Sequence, residues 1–194
     1  EIGTIQPLKE IGKICKKKNV CFHTDACQAG NYLNLDVKKL GVDLLSLNGS
    51  KIYGPKGVGI LYIQKGTQIT PLIHGGGQEK KLRSGTENIP LIVGFAKALE
   101  FADKEKSSEK VRLKKLSEKL IDGILGTIPK AFLNGHPTER ILSNVNISIL
   151  DIEGEAVLLY LDEKGICIST GSACTSKTLD PSHVILSTGL PYEA

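Results

Sequence analysis

The chain has no methionine and no tryptophan, and its aromatics are five tyrosines and four phenylalanines. So few rings argue against a platform on which nucleic-acid bases stack. A strong charge of one sign is missing as well: the net charge is +4, with lysines scattered among glutamates. That balance is too mild for a nucleic-acid footprint. No apolar run approaches the length of a membrane-spanning helix, and no membrane association is expected. No secretory leader is visible, so a cytoplasmic location is expected. The five cysteines, Cys15, Cys21, Cys27, Cys167 and Cys174, form no C-x-x-C pair, which argues against a zinc site. Their odd number argues against a disulfide framework and for reduced thiols. The lack of methionine, with Glu1 opening what reads as continuous sequence, predicts an internal fragment or a processed chain.

What is present is 40% hydrophobic sequence, enough for a core in one or two domains. Residues 7–18 read as an amphipathic helix, with Leu8, Ile11, Ile14 and Cys15 on one face. Residues 20–26 suit a strand, 36–42 a brief helix, and the apolar run 43–47 a buried parallel strand. Residues 57–64 make a third strand. This strand–helix–strand rhythm predicts an α/β layer. The glycine-rich segment 74–88 has no periodicity and reads as a loop. Residues 89–104 are strongly helical, and 107–125 read as a second helix opened by a Ser/Glu capping signal. Residues 144–150 alternate like a half-buried strand, 154–165 suit a helix closed by glycine, and 166–170 suit a strand entering a small-residue loop. The pattern places a domain change at about residues 105–130.

The stretch SLNGSKIYGPKGVGILYI, residues 46–63, holds Lys51 between an apolar run and a Gly/Pro-rich turn. By spacing alone this lysine is either a surface charge or an amine held in a pocket. Asp25 ends one expected strand and Lys51 follows another. Parallel strands of an α/β sheet deliver their carboxyl ends to one edge, where ligands bind. A carboxylate and a lysine meeting there have a specific use with pyridoxal phosphate: the carboxylate keeps the pyridine nitrogen protonated, and the amine forms a Schiff base with the aldehyde. Only a primary amine can do the latter, so arginine would not serve. Gln28 could donate to the phenolic oxygen, and Asn48 and Ser50 offer short polar groups to a phosphate. The plainer reading, a turn aspartate and a solvated lysine, stands beside it at this level.

The segments HTDACQ (23–28), SLNGSKIYGPKGVG (46–59), HGGGQE (74–79), RSGTEN (83–88) and ISTGSACTS (168–176) follow one another in this order. Together they resemble cysteine desulfurases of the NifS/IscS type, enzymes of the class V aminotransferase fold, and the resemblance runs end to end. It implies an α/β, pyridoxal-phosphate-dependent transferase fold (fold type I). Residues 1–105 would be the C-terminal part of the large cofactor-binding domain and 106–194 most of the small domain. It further implies that Lys51 holds the cofactor, Asp25 faces the pyridine nitrogen and Gln28 the phenolic oxygen. Asn48 and Ser50 stand where the family usually has serine and histidine around the phosphate. Thr86 matches a residue that reaches the phosphate of the partner subunit's cofactor, which implies a homodimer. Cys174 matches the catalytic cysteine of a mobile loop, with Thr170 in place of a serine. No metal is expected, beyond transient ligation of an iron–sulfur cluster by Cys174.

The reaction so implied takes L-cysteine to L-alanine and leaves a persulfide on Cys174, for iron–sulfur scaffold assembly or tRNA thiolation. The small residues flanking Cys174 suit a thiol that must visit a pocket and then a partner protein. Family chains are roughly twice this length. The absent parts would supply a phosphate-gripping turn, a ring-stacking histidine and an arginine for the substrate carboxylate. This polypeptide alone is therefore expected to be inactive. The alternatives are a selenocysteine lyase or other β-lyase, and a non-catalytic sulfur-transfer scaffold. Cys15, Cys21 and Cys27 read as packing residues; His23 and His74 read as either site-lining or structural.

Overall fold

The structure, a computed structural model, describes residues 1–171 and 182–190. The chain divides into two compact units, one formed by Gln6–Glu109 and the other by Glu1–Ile5 with Lys110–Ala194. Helices and strands are mixed along the chain, as the expected α/β class requires.

The first unit opens with α1 (Leu8–Lys18). Pro7 precedes it, and its carbonyl accepts the first helical N–H groups of Glu10 and Ile11, both at 3.1 Å. Asn19, at φ 55°, ends it in the left-handed conformation that asparagine tolerates. Lys16, Lys17 and Lys18 complement the carbonyl end of the helix dipole. β1 (His23–Asp25) follows, and then α2 (Val37–Leu40), whose Asp36 cap accepts from the N–H groups of Lys38 and Lys39 at 3.1 and 3.2 Å. β2 (Leu44–Asn48) runs parallel to β1, and β3 (Gly59–Ile63) runs antiparallel to β2. Strand order is β1-β2-β3, with Asp25 opposite Ser46 and Asn48 opposite Gly59.

Alternation sorts the side chains of this sheet onto two faces. Thr24, Leu45 and Leu47 are buried with Ala26, Val42, Ile52 and Phe95, and Ala98 and Leu99 pack against that cluster. Each fully buried aliphatic side chain here contributes about 1.5–3 kcal/mol. His23, Asp25, Ser46 and Asn48 lie on the opposite face, and the core therefore leaves the polar face free.

Phe95, Ala98 and Leu99 belong to α3 (Ile89–Thr127), which is one helix of 39 residues. The two helices expected over 89–104 and 107–125 are thus a single element. The Ser/Glu signal at residues 107–109 sits in its interior, where the Ser108 hydroxyl donates to the Glu105 carbonyl at 2.8 Å. Neither glycine nor proline lies between Gly94 and Gly123, and a serine costs a helix interior only tenths of a kcal/mol. Pairs at helical spacing, Lys97–Glu100, Lys104–Glu100 and Lys106–Asp103, support the helix as far as residue 106. The loop 74–88 contains one short 3₁₀ turn, Gln78–Lys81.

In the second unit β4 (Ala131–Leu133) pairs antiparallel with β5 (Ile147–Ile149). α4 (Gly154–Glu163) and the short α5 (His183–Ser187) follow. Residues 166–170, expected as a strand, form none: no partner strand lies beside them among the described residues, and an unpaired apolar run gains no ladder bonds. β4 was not anticipated as an element.

Residues 1–5, grouped with the first domain on sequence, are built into this second unit. Thr4 bridges Arg140; the Ile5 N–H donates to the Glu139 carbonyl at 2.9 Å, and the Ile141 N–H to the Gly3 carbonyl at 2.8 Å. Arg140 is only 5% exposed. Its guanidinium donates to the carbonyls of Asn134 (3.0 Å), His136 (3.3 Å), Ile2 (3.4 Å) and Asn144 (3.2 Å), and burial lowers its pKa. Among the described residues no carboxylate pairs with it, and backbone carbonyls hold the charge. Arg140→Met keeps the stem and strands those carbonyls, so unfolding in urea should show a loss of about 2–4 kcal/mol. A loss below about 0.5 kcal/mol would mean that the four bonds add nothing net.

Candidate active site

Asp25 is the last residue of β1, and Lys51 lies in a 3₁₀ turn (Gly49–Ile52) that follows β2 directly. Because β1 and β2 are parallel, both side chains emerge at the same end of the sheet. Asn31 joins the two turns: its Nδ2 donates to the Lys51 carbonyl at 2.8 Å. Close approach of the turns requires small residues. A Cβ on Gly30 would lie 2.6 Å from Ile52 Cγ2, and one on Gly49 would lie 2.8 Å from the Pro55 carbonyl. Tyr53 closes the lysine turn at φ 60°, an uncommon conformation for a bulky residue, and is 91% exposed.

Asp25 is held ionised. Its pKa is lowered first by a hydrogen bond from the Cys27 side chain and then by the Cys27 backbone N–H, 2.9 Å from Oδ1. Burial opposes this, and the charge of His23 lowers it further. Cys27 shows the converse effect. Burial pushes its thiol up to about 11, the hydrogen bond to Asp25 and that carboxylate's charge add to the rise, and the charge of Lys51 opposes it. The Cys27 sulfur thus lies within electrostatic reach of both Asp25 and Lys51. A thiol with so high a pKa is a poor nucleophile at neutral pH. Iodoacetamide at about pH 8 should label Cys27 roughly 100-fold more slowly than an ordinary exposed thiol, with Cys21 and Cys167 labelled first. Peptide mapping that found Cys27 labelled alongside Cys21 would contradict this.

Lys51 is exposed, and its amine has no ion-pair partner among the described residues. Gln28 is exposed in the turn after β1. Asn48 and Ser50, read as phosphate donors, bond to each other: Asn48 Oδ1 accepts from the Ser50 N–H at 2.8 Å and from its hydroxyl at 2.7 Å. That arrangement leaves the Asn48 amide N–H groups as the free donors of the pair. Thr86 is exposed in the loop before α3. Cys174 lies outside the described residues. Sequence reasoning missed Asn31, whose only signal was an asparagine following the glycine of the CQAGN turn. It also missed the bond between His23 Nε2 and Ser46 Oγ, at 2.8 Å. His74 is exposed, and His136 is a turn residue whose Nδ1 accepts from the Glu139 N–H at 2.9 Å.

An ionised carboxylate, an unpaired primary amine and an exposed amide at one sheet edge form a donor set that fits pyridoxal phosphate.

A family model described as aminotransferase class-V matches residues 1–189. The chain is 56% identical over 193 residues to the cysteine desulfurase IscS of Methanosarcina thermophila, covering all of this chain and 48% of that protein. It is 54% identical over 195 residues to the cysteine desulfurase IscS of Clostridium botulinum, with 49% of that protein covered. Among solved structures, a NifS-like protein from Rickettsia africae superposes over all of this chain and 51% of its own length, with a TM-score of 0.86 and 35% identity. The chain spans about half the length of the curated relatives it matches. No helix among the described residues is long and apolar enough to cross a membrane.

Proposed function

We propose, because this chain belongs to the aminotransferase class-V family, that the polypeptide carrying it is a pyridoxal-phosphate-dependent cysteine desulfurase. The observation that carries the reading is the meeting of the Asp25 carboxylate and the Lys51 turn at one sheet edge, with Cys27 sensing the charge of both. Similarity along the whole chain to proteins named cysteine desulfurase supports it. The expected division at residues 105/106 is carried here by the two compact units: Gln6–Glu109 is read as the C-terminal part of the large domain, and Lys110–Ala194 with Glu1–Ile5 as most of the small one.

Lys51 would hold the cofactor covalently, and Asp25 would set its negative charge against the ring nitrogen. Gln28 would donate to the phenolic oxygen, and Asn48, Ser50 and, across a homodimer, Thr86 would serve the phosphate. When bound, pyridoxal phosphate supplies an electron sink for the substrate carbon that bears the amino group. The Lys51 amine then moves protons at that carbon as a general base. The Cys174 thiolate attacks the sulfur of L-cysteine. An S–S bond forms, the C–S bond breaks, and its electron pair passes to the carbon skeleton, which takes up a proton and leaves as L-alanine. The persulfide on Cys174 goes to an iron–sulfur scaffold or a tRNA-thiolation acceptor in the cytoplasm.

Incubating the complete polypeptide with pyridoxal phosphate and L-cysteine should give alanine and, before any reductant is added, one extra sulfur on Cys174. Alanine without enzyme-bound sulfur would identify a plain β-lyase, and turnover of selenocysteine alone a selenocysteine lyase. The 194-residue chain on its own should turn over neither.

A further inference from the structure

The sequence leaves the carbonyl of Lys51 without a donor in its own turn. The N–H three residues on, at Gly54, is given to the Gly49 carbonyl at 2.9 Å. The residue four on is Pro55, which has no N–H. A carbonyl orphaned at a helix end is met by water or by a group from elsewhere. Here Asn31 meets it, from 20 residues away in sequence, with Nδ2 at 2.8 Å from the oxygen. Gly30 brings the two turns together: a Cβ there would lie 2.6 Å from Ile52 Cγ2, and Ile52 is buried. Gly30 and Asn31 thus hold the lysine turn at two adjacent points, the Ile52 side chain and the Lys51 carbonyl. Packing does not clamp the turn from every side, because a cavity of about 340 Å³ borders Asn31, Ile52 and Tyr53. The hydrogen bond supplies a constraint there that close packing does not.

We propose that Asn31 is a positioning residue for Lys51. It ties the lysine turn to the turn that follows Asp25 and carries Gln28, so that amine, carboxylate and amide keep one spacing before any cofactor arrives. The catalytic part of this role rests on the reading of Lys51 given above; the tether itself does not. One neutral hydrogen bond of this kind is worth about two- to tenfold in an equilibrium or a rate, and a group held in place beforehand needs no ordering at the moment of reaction.

The test uses the complete polypeptide and two variants. Asn31→Ala removes the donor. Asn31→Asp keeps the size but offers a carboxylate, which at pH 8 has no proton to give a carbonyl. Without cofactor, hydrogen exchange at the Tyr53 and Gly54 amides, both bonded to the Gly49 carbonyl, should quicken about two- to tenfold in both variants. Exchange in β2 should stay as it was. With cofactor, the pyridoxal phosphate concentration giving half of the visible absorption should rise by a similar factor. Turnover at saturating cofactor and L-cysteine should fall likewise, with the half-saturating L-cysteine concentration unmoved. Exchange that is unchanged in the turn, or quickened equally in β2, overturns the tether. Undiminished turnover at saturating cofactor overturns the positioning role and leaves Asn31 a structural residue. Asn31→Asp behaving as the unaltered protein at pH 8 overturns the hydrogen bond as the cause. If exchange quickens in the turn alone but the unaltered protein binds no pyridoxal phosphate, the cofactor reading falls and the tether stands.

Discussion

Lys51→Ala, made in the complete polypeptide, should abolish borohydride-fixed attachment of pyridoxal phosphate and lower L-cysteine turnover by about a thousandfold or more. Two losses combine in this one change. The covalent hold on the cofactor goes, and so does the base positioned at the substrate carbon, itself worth about 10²–10⁴ in rate. Lys51→Arg should do no better, because a guanidinium stays protonated and does not condense with an aldehyde. The structure makes this test a clean one. Lys51 is exposed and makes no ion pair among the described residues, so its removal should leave the fold intact. The turn itself is held by other groups: the Asn31 bond to the Lys51 carbonyl, the Asn48–Ser50 bonds and buried Ile52. Mass spectrometry of the reduced protein decides the matter. An adduct found on another lysine, such as the nearby Lys56, or one that persists in Lys51→Ala, would remove the basis of the proposed mechanism.

The second large effect is expected at Cys174. Cys174→Ser should keep the visible absorption of bound cofactor and lose sulfur transfer by about a thousandfold, because a hydroxyl is far less ionised than a thiol and a poor nucleophile toward sulfur. The two variants are thus predicted to separate cofactor attachment from sulfur acceptance. ³⁵S-labelled cysteine, followed by non-reducing electrophoresis, reads the transfer directly. Label retained at the level of the unaltered protein would assign the acceptor to another cysteine. Cys27 is a poor candidate for that role, since burial and Asp25 push its thiol to about 11.

Much of this molecule is written in local sequence. The apolar spacing of α1, the short helical stretch of α2 and the apolar run of β2 each act over a few residues, and the elements formed within a residue or two of where the pattern put them. The placement of Asp25 and Lys51 at strand ends was legible for the same reason: a parallel pair of strands has one carboxyl edge. The continuity of α3 across residues 104–107 is local too: uninterrupted helix propensity outweighed a weak capping signal. Tertiary structure decided the rest. Whether 166–170 is a strand depends on a partner that the segment cannot supply for itself. The Asn31–Lys51, His23–Ser46 and Arg140–Ile2 bonds join groups far apart in the chain. Residue type and spacing encode the capacity for such bonds, whereas the fold selects which capacities meet.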